Sequence, residues 1–313
     1  MKCTTRKEQI KCVTYNLNVG ITNKPTLSVV VPVGKLFGDI SALENWIPKC
    51  EKAQVILVLD WTDAKTLSSI SNSNVLKNCK GIEVYEVEFG NPGETRNFGL
   101  TKTKGEWVTF SDADDLPNIE VIVRSIEDNK DETIDVLIGD YEIYRRDSEQ
   151  ITKVENKDLP GLLKSLPLGL GLWRFAFRKN FLESKKAEYP AISMAEDQIY
   201  FLRLDIQKSE VKYEKKVFYR YFLENPFQLT NDKVRIQDLQ KSIPVTIETL
   251  EKNVSTERFD FLSAQMFSLL LNGSTRCLLK NVYFLIKSLK SIFNKFGLKK
   301  VALVFSYPIR RYL

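Results

Sequence analysis

The sequence predicts an α/β protein in which helices flank a mainly parallel sheet, followed by a helical region at the carboxyl end. Three observations support this prediction. Residues 27–33 and 55–59 are continuous apolar runs, which are typical of strands buried on both faces of a parallel sheet. Segments with helical spacing alternate with these runs, as in right-handed β-α-β units. From about residue 233 the apolar pattern turns helical and stays helical.

The individual elements follow in chain order. In the first half, the pattern predicts strands over 27–33, 55–59 and 82–89, and helices from Asp39 as cap, over 63–78 and over 94–102. In the second half, it predicts strands over 136–144, 172–178 and 217–222, and a helix over 193–206. We therefore expect an amino-terminal extension at residues 1–24, an α/β domain over 25–230 and a helical, basic region over 231–313.

The stretch Gly105–Pro117 contains a predicted strand followed by a cluster of acidic residues. Its first half, Trp107–Phe110, is aromatic and β-branched and predicts a buried strand. Three carboxylates follow within four residues, at Asp112, Asp114 and Asp115. Like charges at one strand end repel one another, and a bound divalent cation removes that repulsion. Since Mg²⁺ and Mn²⁺ favour carboxylate and phosphate oxygens, we expect a metal–diphosphate site here; an acidic turn with aspartate as a helix cap is the alternative.

Composition and charge exclude several classes of protein. Hydrophobic residues make up 43% and charged residues 27% of the 313 residues, which is typical of a globular chain. The net charge of +6 is unevenly distributed, because no acidic residue follows Asp260 while nine basic residues do: Arg276, Lys280, Lys287, Lys290, Lys295, Lys299, Lys300, Arg310 and Arg311. A basic charge confined to one tail argues against a general nucleic-acid-binding surface.

The residue types that are rare or missing limit the chemistry. The five cysteines form no C-x-x-C pair, so neither a zinc ribbon nor a disulfide framework is indicated, and a reducing cytoplasm fits best. The chain has no histidine, which excludes Ser-His-Asp and Cys-His catalysis and a histidine-ligated zinc site. General acid–base chemistry must therefore use carboxylates, lysine or tyrosine. The first 24 residues lack the apolar core of a signal peptide.

Four motifs occur in a fixed order along this pattern. They are Asp60 at the end of the second strand, Arg96-Asn97 within Gly93–Leu100, Asp112-Ala113-Asp114-Asp115, and Glu196-Asp197 at the start of a later helix. In this order, and with Val-Val-Val-Pro-Val in the first strand, residues 26–225 resemble the family 2 glycosyltransferases of the GT-A fold. The most specific part is Arg-Asn-Phe-Gly-Leu followed by Gly-Glu-Trp-Val-Thr-Phe-Ser-Asp-Ala-Asp-Asp.

The resemblance implies a Rossmann-like GT-A domain that binds a nucleotide-diphosphate sugar with Mn²⁺ or Mg²⁺. The donor-binding residues that it implies are Pro32, Val33, Asp60, Arg96, Asn97, Asp112 and Ala113. The metal ligands that it implies are Asp114, Asp112 and Asp115, with the direct ligand left open. Val33-Gly34-Lys35 stands where typical members have Tyr-Asn after the strand. Asp60 could instead cap the next helix, and Arg96 could instead form a surface ion pair with a nearby glutamate.

A second group of residues is assigned to the acceptor side. Ser193-Met194-Ala195-Glu196 matches a capping box, which puts Asp197 in the first helical turn. There the helix dipole keeps a carboxylate ionised, so Asp197 is the best candidate for the general base; an acidic turn without catalytic role is the alternative. Trp173 and Arg174 lie on the strand predicted over 172–178, where an aromatic face could stack an acceptor sugar, although large aromatic side chains mostly serve burial, so core packing is the first explanation for Trp173.

The resemblance thus implies an enzyme of the hexosyltransferase type. It would transfer a sugar from a nucleotide-diphosphate donor to a hydroxyl of a growing surface glycan or lipid-linked sugar, with metal dependence and inversion at the anomeric carbon. Two alternatives remain. One is a sugar-phosphate nucleotidyltransferase. Such an enzyme requires a glycine-rich loop after the first strand, and Gly34–Gly38 resembles that loop but is short. The other is a non-catalytic nucleotide-sugar-binding or membrane-associated protein.

The basic tail suggests a location at the inner face of a membrane. Between 278 and 296 apolar residues recur at helical spacing: Leu278, Leu279, Val282, Ile286, Leu289, Phe293 and Phe296. Lysines interrupt this stretch too often for it to span a bilayer, which needs about 20 mainly apolar residues. The pattern fits an interfacial helix on anionic lipid. The alternative is a helix packed on its own domain with solvated lysines.

Overall fold

The computed structural model describes residues 24–129, 131, 133–155, 163, 171–223, 238–252, 255–272 and 277–312. By its contacts the chain divides into two compact units. Unit 1 comprises Met1–Leu159, Gly171–Lys186 and Lys208–Phe227; unit 2 comprises Pro160–Leu170, Ala187–Gln207 and Gln228–Leu313. Contacts therefore group residues 187–207 with the C-terminal helices, whereas the sequence pattern placed them in the domain of residues 25–230. Apart from Lys24, the expected extension lies outside the described residues.

Unit 1 is built around a mixed sheet, which has nine strands within the described residues. The strands are β1 (Leu27–Val33), β2 (Ala53–Asp60), β3 (Ile82–Val87), β4 (Trp107–Phe110), β5 (Leu116–Pro117), β6 (Val136–Arg145), β7 (Gln150–Val154), β8 (Phe175–Arg178) and β9 (Val211–Leu223). Their order across the sheet is β3-β2-β1-β4-β8-β6-β9-β5, with β7 paired to β6. The first four strands are parallel, as expected; β8 is antiparallel to β4 and β6, and β9 runs parallel to β6.

Six helices accompany the sheet in the described part of unit 1. They are α1 (Ser41–Trp46), α2 (Ala64–Asn72), α3 (Asn74–Lys77), α4 (Pro92–Thr101), α5 (Ile119–Asp128) and α6 (Lys179–Lys185). The predicted cap at Asp39 is wrong: its carboxylate accepts from the N–H of Ser41, and the helix begins only there. Helix α4 begins earlier than expected, because Asn91 caps it by accepting from the N–H of Glu94 at 2.9 Å.

The core of unit 1 explains why the apolar runs were readable from the sequence. Strand β1 is buried along its length except for the half-buried Pro32, and β2 is buried from Ala53 to Leu59. Helix α4 packs closely on these strands at Gly99. A Cβ atom at that position would lie 2.4 Å from Cγ1 of Val30, so only glycine permits this approach. The close packing fixes the helix that carries Arg96.

Unit 2 is helical in its described part. Its helices are α7 (Glu196–Leu204), α8 (Leu239–Leu250), α9 (Thr256–Asn272), α10 (Leu278–Phe296) and α11 (Leu298–Tyr312). An apolar core joins them, with Ile199, Ile243, Leu262 and Ile292 fully buried in it. The end of α7 is held by Arg258, which donates to the carbonyl of Leu202 at 3.0 Å. None of the helices described has the length and apolar character that crossing a bilayer requires.

Candidate functional site

The parallel strands of unit 1 bring several of the predicted site residues to one edge of the sheet. Strands β2, β1 and β4 are neighbours and point the same way, so Asp60, Val33 and the turn after Phe110 lie at the same carboxyl edge. In open α/β sheets, ligands bind outside this edge. Pro32 and Asn97 are half-buried there, whereas Val33 is fully buried and its carbonyl accepts from the hydroxyl of Thr62 at 2.8 Å.

Asp60 fixes the loop between β3 and α4. Its two carboxylate oxygens accept from the N–H groups of Phe89 (2.8 Å) and Gly90 (3.0 Å) and from the hydroxyl of Thr95 (2.7 Å). A carboxylate has about four lone-pair positions, so these contacts occupy most of its capacity. The alternative role of Asp60 as a helix cap is wrong, because Asp63 caps α2. The donor contact of Asp60 stays a prediction. Asp60 thus shapes the loop that leads to Arg96.

Arg96 reaches the acidic turn from α4. Its side chain is buried, and Nη2 donates to Oδ1 of Asp112 at 2.9 Å. The pair joins the second turn of α4 to the turn after β4, and the buried Arg96 is not a surface residue paired with Glu94 or Glu106. The pair places a planar guanidinium beside the acidic turn, and the charge and shape of this group suit phosphate oxygens.

The three carboxylates of the turn have different environments. Asp115 is only 1% exposed, and its oxygens accept from the hydroxyl of Tyr219 (3.0 Å) and the N–H of Phe222 (2.8 Å) on β9. Burial, followed by the charges of Asp114 and Asp112, raises the pKa of Asp115 well above its usual range. Asp115 is therefore held against β9 by these two hydrogen bonds, and its role as a further metal ligand stays a prediction.

Asp112 and Asp114 remain at the half-exposed side of the turn. Within the described residues no group of three histidine, cysteine or acidic side chains is arranged to hold a metal ion. Mg²⁺ is usually held by one or two carboxylates together with substrate phosphates. The two half-exposed aspartates, Asp112 and Asp114, are enough for a site of this kind. Ala113, between them, is buried in the core of unit 1, so only its backbone could face a ligand.

Tyr219 is a site residue that sequence reasoning missed. Its buried hydroxyl donates to Asp115 and accepts from the N–H of Asp112 at 3.1 Å, so it holds both ends of the acidic turn. Burial, and then the charge of Asp115, raises its pKa well above the usual range and keeps the hydroxyl protonated. The aromatic strand predicted over 217–222 was the available signal, but the 104-residue separation between these partners is invisible to local patterns.

Trp173 and Arg174 form a 3-10 turn, Leu172–Arg174, immediately before β8, so the strand predicted for them is wrong. The indole of Trp173 stacks on Tyr219 with ring centroids 4.3 Å apart and an angle of 16°. Arg174 is 1% exposed, and its Nε donates to the carbonyl of Gly139 at 2.9 Å. Its burial gives it a packing role, while half-buried Trp173 belongs to an aromatic cluster beside the acidic turn.

In unit 2, Glu196 and Asp197 open α7 as expected, but without the predicted capping box. The cap position is Ala195, which has a left-handed φ of 67° and makes no side-chain cap hydrogen bond. Asp197 still lies in the first helical turn, with a half-buried side chain. There the amino-terminal end of the helix dipole favours its anion.

A cavity of about 450 Å³ lies elsewhere in unit 1. It is lined by Asp128, Asn129, Asp131, Thr133, Ile134, Glu210, Val211 and Lys212. Strands β6 and β9 begin here, at the edge of the sheet opposite the ends of β1, β2 and β4. None of the motif residues borders this cavity, so it is not the candidate site.

Residues 41–195 match the family model described as glycosyl transferase family 2. This region, which is just under half of the chain, is similar to that family. The matched region includes Asp60, Arg96 and the acidic turn, and it ends just before Glu196.

Two curated relatives act on a ribitol-phosphate polymer, according to their names. The poly(ribitol-phosphate) beta-glucosyltransferase of Bacillus spizizenii is 25% identical over 207 residues, which cover 63% of this chain and 32% of the relative. The poly(ribitol-phosphate) beta-N-acetylglucosaminyltransferase TarP of Staphylococcus aureus is 26% identical over 220 residues, covering 66% of this chain and 64% of the relative. The chain therefore spans about a third and just under two thirds of these proteins.

A solved structure shows the same fold. The crystal structure of S. aureus TarS 1-349 in complex with UDP-GlcNAc superimposes with a TM-score of 0.60 at 18% identity, covering 92% of this chain and 86% of that one. Unit 1 thus has the GT-A type of α/β architecture that the motif order implied.

Proposed function

We propose that this protein transfers a sugar from a nucleotide-diphosphate sugar to a hydroxyl acceptor. The observation that supports this most directly is the buried Arg96 paired with Asp112, beside Asp114, at the carboxyl edge of the sheet. The pair combines a cationic donor group for phosphates with half-exposed carboxylates for a metal ion or a ribose. The family match and the UDP-GlcNAc donor of a structurally similar protein support the same donor class.

A divalent metal fits the donor side of this proposal. Asp114, with Asp112, would hold Mn²⁺ or Mg²⁺ together with the donor diphosphate. When bound, such an ion neutralises charge on the diphosphate. Arg96 contributes to the same charge balance from α4, and Asp60 keeps the loop before α4 in place. The predicted donor contacts of Pro32, Val33, Asn97 and Ala113 are proposals of the same kind.

Asp197 is the proposed general base. As the acceptor oxygen bonds to the anomeric carbon, the bond from that carbon to the diphosphate breaks and the hydroxyl proton moves to Asp197. A single displacement of this kind inverts the anomeric configuration. Asp197→Asn keeps the shape and removes the basicity, so turnover should fall by about two to four orders of magnitude while donor binding persists. Glu196→Gln is the matched control and should change turnover far less.

The acceptor is proposed to be a surface glycan, since two relatives are named for a ribitol-phosphate polymer. The test is product analysis with UDP-glucose or UDP-GlcNAc and poly(ribitol phosphate). Release of UDP together with sugar on the polymer supports transfer. Release of pyrophosphate supports a nucleotidyltransferase instead. Binding of the nucleotide sugar without either product supports the non-catalytic alternative and contradicts the proposal.

We also propose that α10 places the enzyme on an anionic membrane surface. The helix is buried through Asn281, Leu285, Ser288 and Ile292, and it turns large apolar side chains outward. These are Leu278, Leu279, Val282, Tyr283, Ile286 and Phe293, of which Leu279 is 87% exposed and Ile286 61% exposed. With no acidic residue after Asp260, the surrounding charge is basic, and each basic residue near anionic lipid contributes about 1 kcal/mol.

Vesicle flotation tests the membrane proposal. The full chain should float with anionic vesicles at low salt and detach partly at high salt. Leu279→Ser with Ile286→Ser should reduce flotation without unfolding the protein, because both side chains are exposed. Ile151→Ser is the control, since Ile151 is 49% exposed but lies on β7. Flotation that ignores the α10 changes, or an intact chain that ignores anionic vesicles, contradicts the proposal.

A further inference from the structure

Trp61 is an exposed tryptophan at the proposed donor edge. It follows directly after Asp60, the last residue of β2, and its side chain is 62% exposed. The tryptophans Trp46 and Trp107, by contrast, are 3% and 1% exposed. An indole is one of the largest apolar groups in a protein, and leaving it in water forgoes the stabilisation that burial gives. The exposed position of this side chain therefore does not contribute to the stability of the fold.

The backbone at Trp61 is also unfavourable. Its φ is 51°, in the left-handed region that suits glycine and that bulky residues rarely adopt. Residues held in such conformations cluster at ligand sites, where the conformation places a side chain that the ligand needs. Exposure and backbone strain therefore coincide at Trp61, as they do at Phe37, which is 54% exposed and has a φ of 53°.

The structure supports one edge of the indole. A Cβ atom at Gly90 would lie 3.6 Å from Nε1 and 3.8 Å from Cδ1 of Trp61, so the ring edge rests beside this glycine. Gly90 is in turn fixed by its N–H, which donates to Asp60 at 3.0 Å. The same carboxylate accepts from Thr95, the residue before Arg96. The indole is thus set against a fixed loop, next to the helix that carries the phosphate-directed arginine.

The loop after the neighbouring strand carries one other exposed aromatic side chain. Val33, which ends β1, is fully buried, and Phe37 in the loop that follows is 54% exposed. Of the two rings, the indole of Trp61 is the one set against Gly90, in the loop that Asp60 fixes before the helix of Arg96. Stacking on an aromatic ring is available to every base, because each has a π face.

We propose that Trp61 stacks on the base of the bound nucleotide, which deepens the proposed function and rests on it. The strained backbone presents the indole, the loop held by Asp60 supports it, and Arg96 takes the phosphate end. Trp61 would then contribute affinity for any nucleoside diphosphate and none for an inorganic diphosphate.

Glycine substitution separates this role from a structural one. Trp61→Gly removes the ring and suits the left-handed backbone, so the melting temperature should not fall. In calorimetric titrations with Mn²⁺, UDP should bind about tenfold more weakly, the scale of one lost base–aromatic stack, while pyrophosphate binding should not change. Glu149→Gly is the matched control: Glu149 has a φ of 54° in the turn between β6 and β7, and its change should leave UDP affinity as it was.

Tryptophan fluorescence gives a second readout. Acrylamide should quench an accessible component in the wild-type protein, UDP should protect that component, and Trp61→Phe should remove it. Trp61→Phe keeps an aromatic face, so its UDP affinity should stay within about threefold of wild type. Unchanged UDP affinity in Trp61→Gly, or an equal loss of pyrophosphate binding, overturns the inference alone. A wild-type protein that binds no nucleoside diphosphate overturns the proposed function as well.

Discussion

The hydroxyl of Tyr219 holds the acidic turn from within the sheet, so Tyr219→Phe tests how the site is built. Phenylalanine fills the same space, and only the hydroxyl is lost. That group donates to Asp115 at 3.0 Å and accepts from the N–H of Asp112 at 3.1 Å. A hydrogen bond contributes about 0.5–1.5 kcal/mol, and a buried polar group left without a partner costs about 1–3 kcal/mol. We expect the free energy of unfolding of unit 1 to fall by about 2–4 kcal/mol.

Urea unfolding followed by tryptophan fluorescence measures this change. All 4 tryptophans of the chain lie in unit 1, so the signal reports on that unit. If the slope of the free energy of unfolding against urea concentration is unchanged, the substitution has altered stability and not the surface exposed on unfolding. Tyr144→Phe is the control, because Tyr144 is half-buried in β6 and its hydroxyl makes no hydrogen bond to the described residues. If Tyr219→Phe lowers stability no more than Tyr144→Phe does, the hydroxyl does not hold the turn.

Three further substitutions test the surroundings of the site. Gly99→Ala should destabilise unit 1 by about 1–3 kcal/mol because the new methyl group meets Val30, and Gly34→Ala, with open space around it, should be neutral; urea unfolding compares them. Asp60→Asn should lower stability by about 1–3 kcal/mol and weaken nucleotide binding, as calorimetry would show, since the loop before α4 loses an acceptor. Glu83→Gln should make the free energy of unfolding depend less on pH in the acidic range. Urea unfolding at several pH values measures this dependence. Burial alone would raise the pKa of Glu83, but hydrogen bonds from Lys104, Tyr85 and Gln54 lower it below 4.5, so its contribution is present above that pH and lost as pH falls through the folded-state pKa.

The sequence was most informative where local pattern decides structure. Strand β1 has the predicted bounds, Leu27–Val33, because a continuous apolar run is buried on both faces whatever its neighbours are. The motif order led to the family, and Arg96 with Asp112 meets as a pair at the predicted edge.

Long-range contacts account for what the sequence did not predict. In the sequence Asp115 could not be distinguished from Asp112 and Asp114. In the structure it is buried, because it accepts hydrogen bonds from Tyr219 and Phe222 on β9. The predicted capping box at Ser193 matches its pattern, but the left-handed backbone at Ala195 starts the helix later. Trp173 and Arg174 read as strand because aromatic residues favour strands, whereas packing on Tyr219 holds them in a turn.

In the basic C-terminal region, too, local pattern predicted the helix but not which of its faces is buried. Helix α10 has the predicted bounds, Leu278–Phe296, because its apolar residues recur at helical spacing. Its buried face, however, includes polar Asn281, which accepts from Gln240 at 2.7 Å. The apolar stripe described from the sequence is largely exposed. Which face of an amphipathic helix is buried depends on the partners available, and these lie far away in the sequence.

Binding of a nucleoside diphosphate at the acidic turn is the central claim, and calorimetric titration of UDP and GDP with and without Mn²⁺ tests it most directly. The wild-type protein should bind at least one of them, more tightly when Mn²⁺ is present. Asp114→Ala should abolish that dependence on Mn²⁺ while circular dichroism shows an unchanged fold. Nucleotide binding that is unaffected by chelator and by Asp114→Ala, or no binding of either nucleotide, would contradict the account.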